Sequence, residues 1–351
     1  MSLKSQAVLH DTLFQEDASE AFRTMFMRIL RLTAAIEFVG VLCLFVLLLP
    51  GRSWSQALYS SVFHSSSAFC NAGFSIYHDS LMRFEQQELV LVVVMTLIVL
   101  GGLGHTVLYE LWTYLVRRVR RRPKQQVRSF SLHARLVFIV SVALVLLGMI
   151  GLLALGLTPE DRSPVQRCFG ALFQSITART AGFNTVDIGR MYMAPLFLLV
   201  VLMFIGGSPA SCAGGVKTTT FAIGLAGLRA TLVGRTEVRL LDRRIPIERV
   251  QRVVLLLSLA IAWNILGVLI LLATEGNGAA VGMHDVVFEQ FSAFGTVGLS
   301  TGLTPSLSTA GRLWVIVTMF VGRLGPLTLA MWIFRQEDID VRYPEGKVMI
   351  G

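Results

Sequence analysis

Charge is scarce in this sequence. Only 15% of its 351 residues are Asp, Glu, Lys or Arg, against about 25% in soluble domains, while 54% are hydrophobic and the mean hydropathy is +0.66. So little charge excludes a folded aqueous domain of any size. Cysteine is scarce too: Cys43, Cys70, Cys168 and Cys212 lie far apart, which excludes a CxxC pair, a zinc-type Cys/His cluster and a disulfide framework. The N-terminus, Met1 to Arg28, is polar and mixed in charge, with no apolar core or small-residue cleavage site, so it does not read as a signal peptide. No nucleophile constellation, phosphate loop or metal cage is present, and the chain does not read as an enzyme.

The charge that is there is basic, 31 Lys and Arg against 22 Asp and Glu, net +9. Arg117, Arg118, Arg120, Arg121, Arg122, Lys124, Arg128 and Arg135 form an acid-free run between two apolar blocks. Such placement marks a cytoplasmic loop and excludes nucleic acid as the partner. The basic stretches 117–135, 229–252 and 335–347 fall on one side. Asp79, Glu85, Glu88, Glu160, Asp161, Glu275 and Asp285 fall on the other. The expectation is a multi-pass protein of a bacterial-type inner membrane, with basic loops and C-terminus cytoplasmic.

About 20 apolar residues cross a hydrocarbon core. Blocks of that kind predict spans at 30–49, 87–116, 132–157, 251–273 and 313–334, with a sixth, interrupted one at 191–233. Between them, 54–69, 164–178 and 285–294 are too short to span, carry aromatics and run into a glycine, as re-entrant half-helices do. The order span, half-helix, glycine loop, span occurs three times. Its glycines, Gly73, Gly182 and Gly298, recur at intervals of 109 and 116 residues. The predicted fold is all-α, with repeated membrane-pore-membrane units around a central ion pore. The units are 30–116, 132–233 and 251–334, joined by loops 117–131 and 234–250 and flanked by a linker, 1–29, and a tail, 335–351.

Backbone at membrane depth is tolerated only where it is buried in protein or lines water. Three equivalent glycine loops can aim carbonyls at one axis and replace a monovalent cation's hydration shell. Asn71, Ala72, Gly73, Thr180, Ala181, Gly182, Thr296, Val297 and Gly298 are the expected filter, with K+ held by their backbone carbonyls. Glycines also serve close helix packing, the alternative reading. The interruption, Gly206, Gly207, Ser208, Pro209, Ala210, Ser211, Cys212, Ala213, Gly214 and Gly215 up to Lys217, is too costly for a continuous helix. It reads as a movable intramembrane gate or as a static kink. Lys217 sits at its inner end or snorkels to the boundary. Arg323, inside the last apolar block, must face the bundle or water, as an electrostatic barrier below the filter or as a cap on carbonyls or a carboxylate. His64 and His105 read as packing or boundary residues.

The three loops, the string 206–220 and Gly322-Arg323-Leu324-Gly325-Pro326-Leu327-Thr328 closely resemble the Trk/Ktr superfamily of potassium transporters. The length and the ending 342–351 are most similar to the membrane subunits of Ktr systems, the KtrB branch. The likeness covers essentially the whole chain. It implies K+ uptake through one pore, stimulated by Na+ in many members, in a homodimer embedded in membrane lipids. It also implies a cytoplasmic, KtrA-like RCK-domain partner that senses ATP and ADP; no covalently bound cofactor is implied. The resemblance places the filter at the three glycines, the gate at 206–217 and the pore arginine at Arg323. Family members carry four repeats where three are found, so the sequence reads as lacking the first. Alternatives from other classes are a nonconducting scaffold or remnant, and a transporter of an organic solute; the latter lacks charged ligands at the midplane and gives the three loops no role.

Overall fold

A computed structural model describes residues 3–119, 130–158, 163–235, 237–241, 243–276 and 281–325, with side chains from residue 23 onward. The basic stretch 120–129, Glu160, Asp161 and everything from Pro326 on, including Leu327, Thr328 and the tail 335–351, lie outside these residues.

Each repeat begins with one long apolar helix. These are α1 (Leu3–Leu48), α5 (Leu132–Leu155) and α9 (Ile247–Glu275). From Arg23 on, they are the three helices among the described residues long and apolar enough to cross a membrane alone. The segment expected as a linker, 1–29, is helical from Leu3 and continuous with the first span.

A half-helix follows in each repeat: α2 (Trp54–Phe69), α6 (Pro164–Thr177) and α10 (Met283–Gly295). The starts are written locally. Ser163 and Gln166 form a reciprocal capping box around the first turn of α6, with Pro164 at its first helical position. Small residues on the long helices let the half-helices in. Gly40, Gly148 and Gly267 face Ser65, Ser175 and Gln290, and a Cβ at any of them would collide with that partner.

The closing limb differs from expectation. The sequence predicts an unbroken span at 87–116, whereas the chain forms α3 (Glu88–Leu103) and α4 (His105–Val119), bent by 110° at Gly104. Gly104 has φ +85°, which ends a right-handed helix outright. The central repeat has α7 (Met193–Phe204), about 18 Å long, and resumes only at α8 (Thr218–Leu232). In the C-terminal repeat, α11 (Thr309–Leu324) stops at Gly325, φ +90°. Arg323 therefore lies in the last turn of α11; the rest of the expected span, 326–334, lies outside the described residues. The N-terminal closing limb thus breaks as the central one does, and the described part of the C-terminal limb ends at a glycine in the same left-handed region.

One local element departs from the all-helical expectation. Residues 234–250 include an antiparallel hairpin, β1 (Val238–Leu240) with β2 (Arg243–Ile245), in register Arg239 to Arg244.

Successive repeats pack in sequence order, α3 on α6 and α7 on α10. Phe183 of the central repeat is fully buried in one cluster with Leu81 and Phe84 of the N-terminal repeat. Leu299 is buried with Val186 and Ile188 of the central repeat. The residues after Gly182 and Gly298 are thus packed by the preceding repeat.

Candidate ion pathway

The half-helices end where the glycine loops begin, so their partly negative C-terminal ends lead into the loops. There the backbone does the same thing three times. Asn71 and Gly73 have φ of +51° and +71°, Thr180 and Gly182 +86° and +82°, and Thr296 and Gly298 +51° and +92°. A β-branched threonine in the left-handed region is a true outlier, and such strain persists only where the surroundings over-determine it.

Two sets of side chains supply that determination. Ser67, Thr177 and Ser292, on the last turn of α2, α6 and α10, donate hydroxyl hydrogen bonds to the carbonyls of Phe74, Phe183 and Leu299, at 2.8, 2.9 and 2.6 Å. Their own carbonyls accept from the N–H of Ala72, Ala181 and Val297, each at 2.9 Å. Three residues earlier, about one helical turn, His64 Nε2 lies 3.0 Å from Ser75 Oγ, and Gln174 Nε2 donates to Thr185 Oγ1 at 3.4 Å. Glu289 accepts from Ser300 and, at 2.9 Å, from Thr304. Each loop is clamped on both sides of its glycine.

The loops also meet one another. A Cβ on Gly73 would stand 3.0 Å from Gly182 Cα and still nearer the Ala181 carbonyl oxygen. One on Gly182 would stand 3.4 Å from Gly298 Cα and overlap the Val297 carbonyl oxygen. With its amide nitrogen donating to Ala68 and Ile98, Asn71 accepts from Thr180 Oγ1 at 3.3 Å across the repeat boundary. All nine expected filter residues lie in these three loops. Thr177→Val strands the buried Phe183 carbonyl, which costs about 1–3 kcal/mol; a lowered unfolding midpoint of the purified protein is the expected result.

The string 206–215 forms a loop closed at its neck by a parallel bridge between Ile205 and Val216, with Val216 N–H donating to Phe204 O at 3.1 Å. It is tied to both outer repeats at their helix breaks. Ser208 N–H donates to Gly102 O at 3.0 Å, His105 N–H to Ala210 O at 3.1 Å, and Gly215 N–H to Gly322 O at 3.2 Å. His105 Nδ1 also lies 2.9 Å from Ala210 O. The Arg323 guanidinium donates to Cys212 O, and Lys217 Nζ to Ala213 O. Thr296 of the C-terminal filter strand abuts Gly214, which sets the loop directly against the filter backbone.

Sequence reasoning missed the hydroxyl clamps, the His64/Gln174/Glu289 position, and His105 as a gate-loop contact. Aligning the repeats on their glycines brings Ser67 into register with Ser292 and His64 with Glu289, but puts Ile176 where Thr177 acts, because the central repeat is one residue shorter between hydroxyl and glycine. Sequence reasoning also passed over Arg179, which follows α6 and donates to the carbonyl and hydroxyl of Ser141 at 3.1 and 3.3 Å, a cation at a helix C-terminus. On the acidic side of the chain, the Arg83 guanidinium hydrogen-bonds Asp79 and holds its carboxyl below the usual carboxylate range.

Residues 3–338 match the family described as TrkH, cation transport protein. The chain belongs to this family. It is 38% identical over 327 residues to Ktr system potassium uptake protein B of Bacillus subtilis, covering 90% of this chain and 69% of that relative. To the potassium/sodium uptake protein NtpJ of Enterococcus hirae it is 33% identical over 357 residues, covering all of this chain and 77% of the other. The crystal structure of the potassium transporter TrkH from Vibrio parahaemolyticus has the same fold, with a TM-score of 0.67 at 20% identity over 90% of this chain and 64% of that one. Members of the TrkH family are membrane transporters, not enzymes, and the chain is a cation transport protein of that kind.

Proposed function

We propose that the chain conducts K+ into the cell through the carbonyls of 71–73, 180–182 and 296–298, gated by the loop 206–217. The observation that carries this reading is the threefold pattern of paired left-handed residues, each clamped by a half-helix hydroxyl. Fixed left-handed residues two apart orient the intervening carbonyls in a repeating way, as a ring that replaces a hydration shell requires. The names of the Bacillus and Enterococcus relatives, potassium uptake and potassium/sodium uptake, support K+ as cargo, with Na+ as the coupled or stimulating ion.

The ring closes with a fourth membrane-pore-membrane unit seated between α2 and α11. Phe183 and Leu299 are each packed by the repeat before them and are 0% and 1% exposed. Their counterpart Phe74, in the N-terminal repeat, is 70% exposed. Such a unit would cover it. The basic loops lie in the cytoplasm of a bacterial-type cell, where a KtrA-like RCK partner would bring ATP or ADP sensing to a homodimer of this chain.

Rubidium uptake in cells deficient in K+ uptake tests the reading, with the chain expressed alone and together with a first repeat taken from a four-repeat relative. Uptake and growth at low K+ are expected in the paired expression. No uptake in either case would favour a nonconducting scaffold.

A further inference from the structure

Away from the loops, α5 and α8 of the central repeat leave a groove of about 630 Å³ between them, floored by β1 and the residue after it. Its walls are Ile139, Ala143 and Leu147 from α5 and Leu225 and Ala226 from α8. From Leu136 to Leu147 the wall runs roughly 16 Å, half of a hydrocarbon core about 30 Å thick, the depth of one leaflet. At its basic end the groove meets Arg229, Arg235 and Arg239 with one carboxylate, Glu237, and opens into a polar pocket of about 540 Å³ lined by Arg235, Glu237 and Arg239. Glu237 is already engaged, with Arg239 at 3.0 Å and Arg244 at 3.2 Å. Among the described residues, Arg229 and Arg235 have no carboxylate partner.

We infer that this groove binds an anionic glycerophospholipid of the leaflet on the basic side. An acyl chain lies along Ala143, Leu147 and Leu225, and the phosphate is held by Arg229 and Arg235. Charge complementarity selects this occupant. An apolar protein segment seated there would leave two cations at its edge without counter-charge, at a desolvation cost, whereas the lipid brings both the chain and the anion. Basic pockets between helices at the membrane boundary bind such headgroups. The groove's α8 wall is the helix into which the loop 206–217 leads.

The test is binding of phosphatidylglycerol, and separately phosphatidylcholine, to the delipidated full chain, followed by native mass spectrometry. Phosphatidylglycerol is expected to bind more tightly. Arg229→Gln and Arg235→Gln should each weaken it about fivefold and leave phosphatidylcholine unchanged. Arg252→Gln, elsewhere on the basic side, should alter neither. Ala143→Trp, which fills the groove, should weaken both lipids; if that variant does not fold, the two exposed arginine variants decide the matter. Unchanged phosphatidylglycerol affinity in both arginine variants would overturn the assignment. So would full competition by glycerophosphoglycerol, the headgroup without chains, or cross-linking of a second copy of this chain into the groove.

Discussion

Gly182→Ala is expected to reduce rubidium flux, measured with the chain co-expressed with a first repeat, to background. Two effects act together at this position. Its φ of +82° costs an L-residue about 1–2 kcal/mol, and the new Cβ overlaps the Val297 carbonyl oxygen, an atom of the neighbouring filter strand that the half-helix clamp gives no room to retreat. Gly51 separates the two effects. It has the same φ, +82°, with nothing within 4 Å of an added Cβ, so Gly51→Ala carries the conformational cost without the collision. Flux retained in Gly51→Ala and lost in Gly182→Ala locates the defect in the ring; equal loss in both would assign it to general destabilisation.

Arg323→Ala is expected to raise flux. The guanidinium ties the gate loop to the last turn of α11 through Cys212 O, and a hydrogen bond to a charged group contributes about 1.5–3 kcal/mol. Losing it shifts a closed-to-open equilibrium by about tenfold or more, provided the bond exists in the closed arrangement alone. The same substitution removes a positive charge from beside the gate loop, which on the proposed pathway further favours cation occupancy. Lys217→Ala releases a contact within the loop, to Ala213 O, rather than one to another repeat, and is expected to change flux less. Single-turnover rubidium uptake in proteoliposomes compares the three proteins. A fall in flux for Arg323→Ala would mean that the arginine supports the pathway rather than restrains it.

The sequence carried the repeat and its glycines because periodic apolar blocks and a recurring Gly are one-dimensional signals. The half-helix expected at 54–69 is α2, Trp54–Phe69, and the expected filter residues are those with left-handed backbone or adjacent to it. The bend at Gly104 was passed over although the chain changes there from the apolar α3 to the amphipathic α4, with His105 and Glu110, because a glycine in a membrane helix is as often packing as punctuation. Ser67, Thr177 and Ser292 were passed over for a different reason. A hydroxyl in a half-helix acquires meaning only when its partner carbonyl, six or seven residues on, folds back against it. The contacts of His105 and Arg323 with 210 and 212 join residues more than 100 positions apart, and no local pattern announces them.

The central claim is that a cation rests among the backbone carbonyls of 71–73, 180–182 and 296–298. The most direct measurement is the anomalous signal of rubidium in crystals of the chain assembled with a first repeat taken from a four-repeat relative. Peaks on the axis between Gly73, Gly182 and Gly298, weakened when Na+ replaces most of the rubidium, are the result this account requires. Rubidium bound only elsewhere, with none between the three glycines, would contradict it.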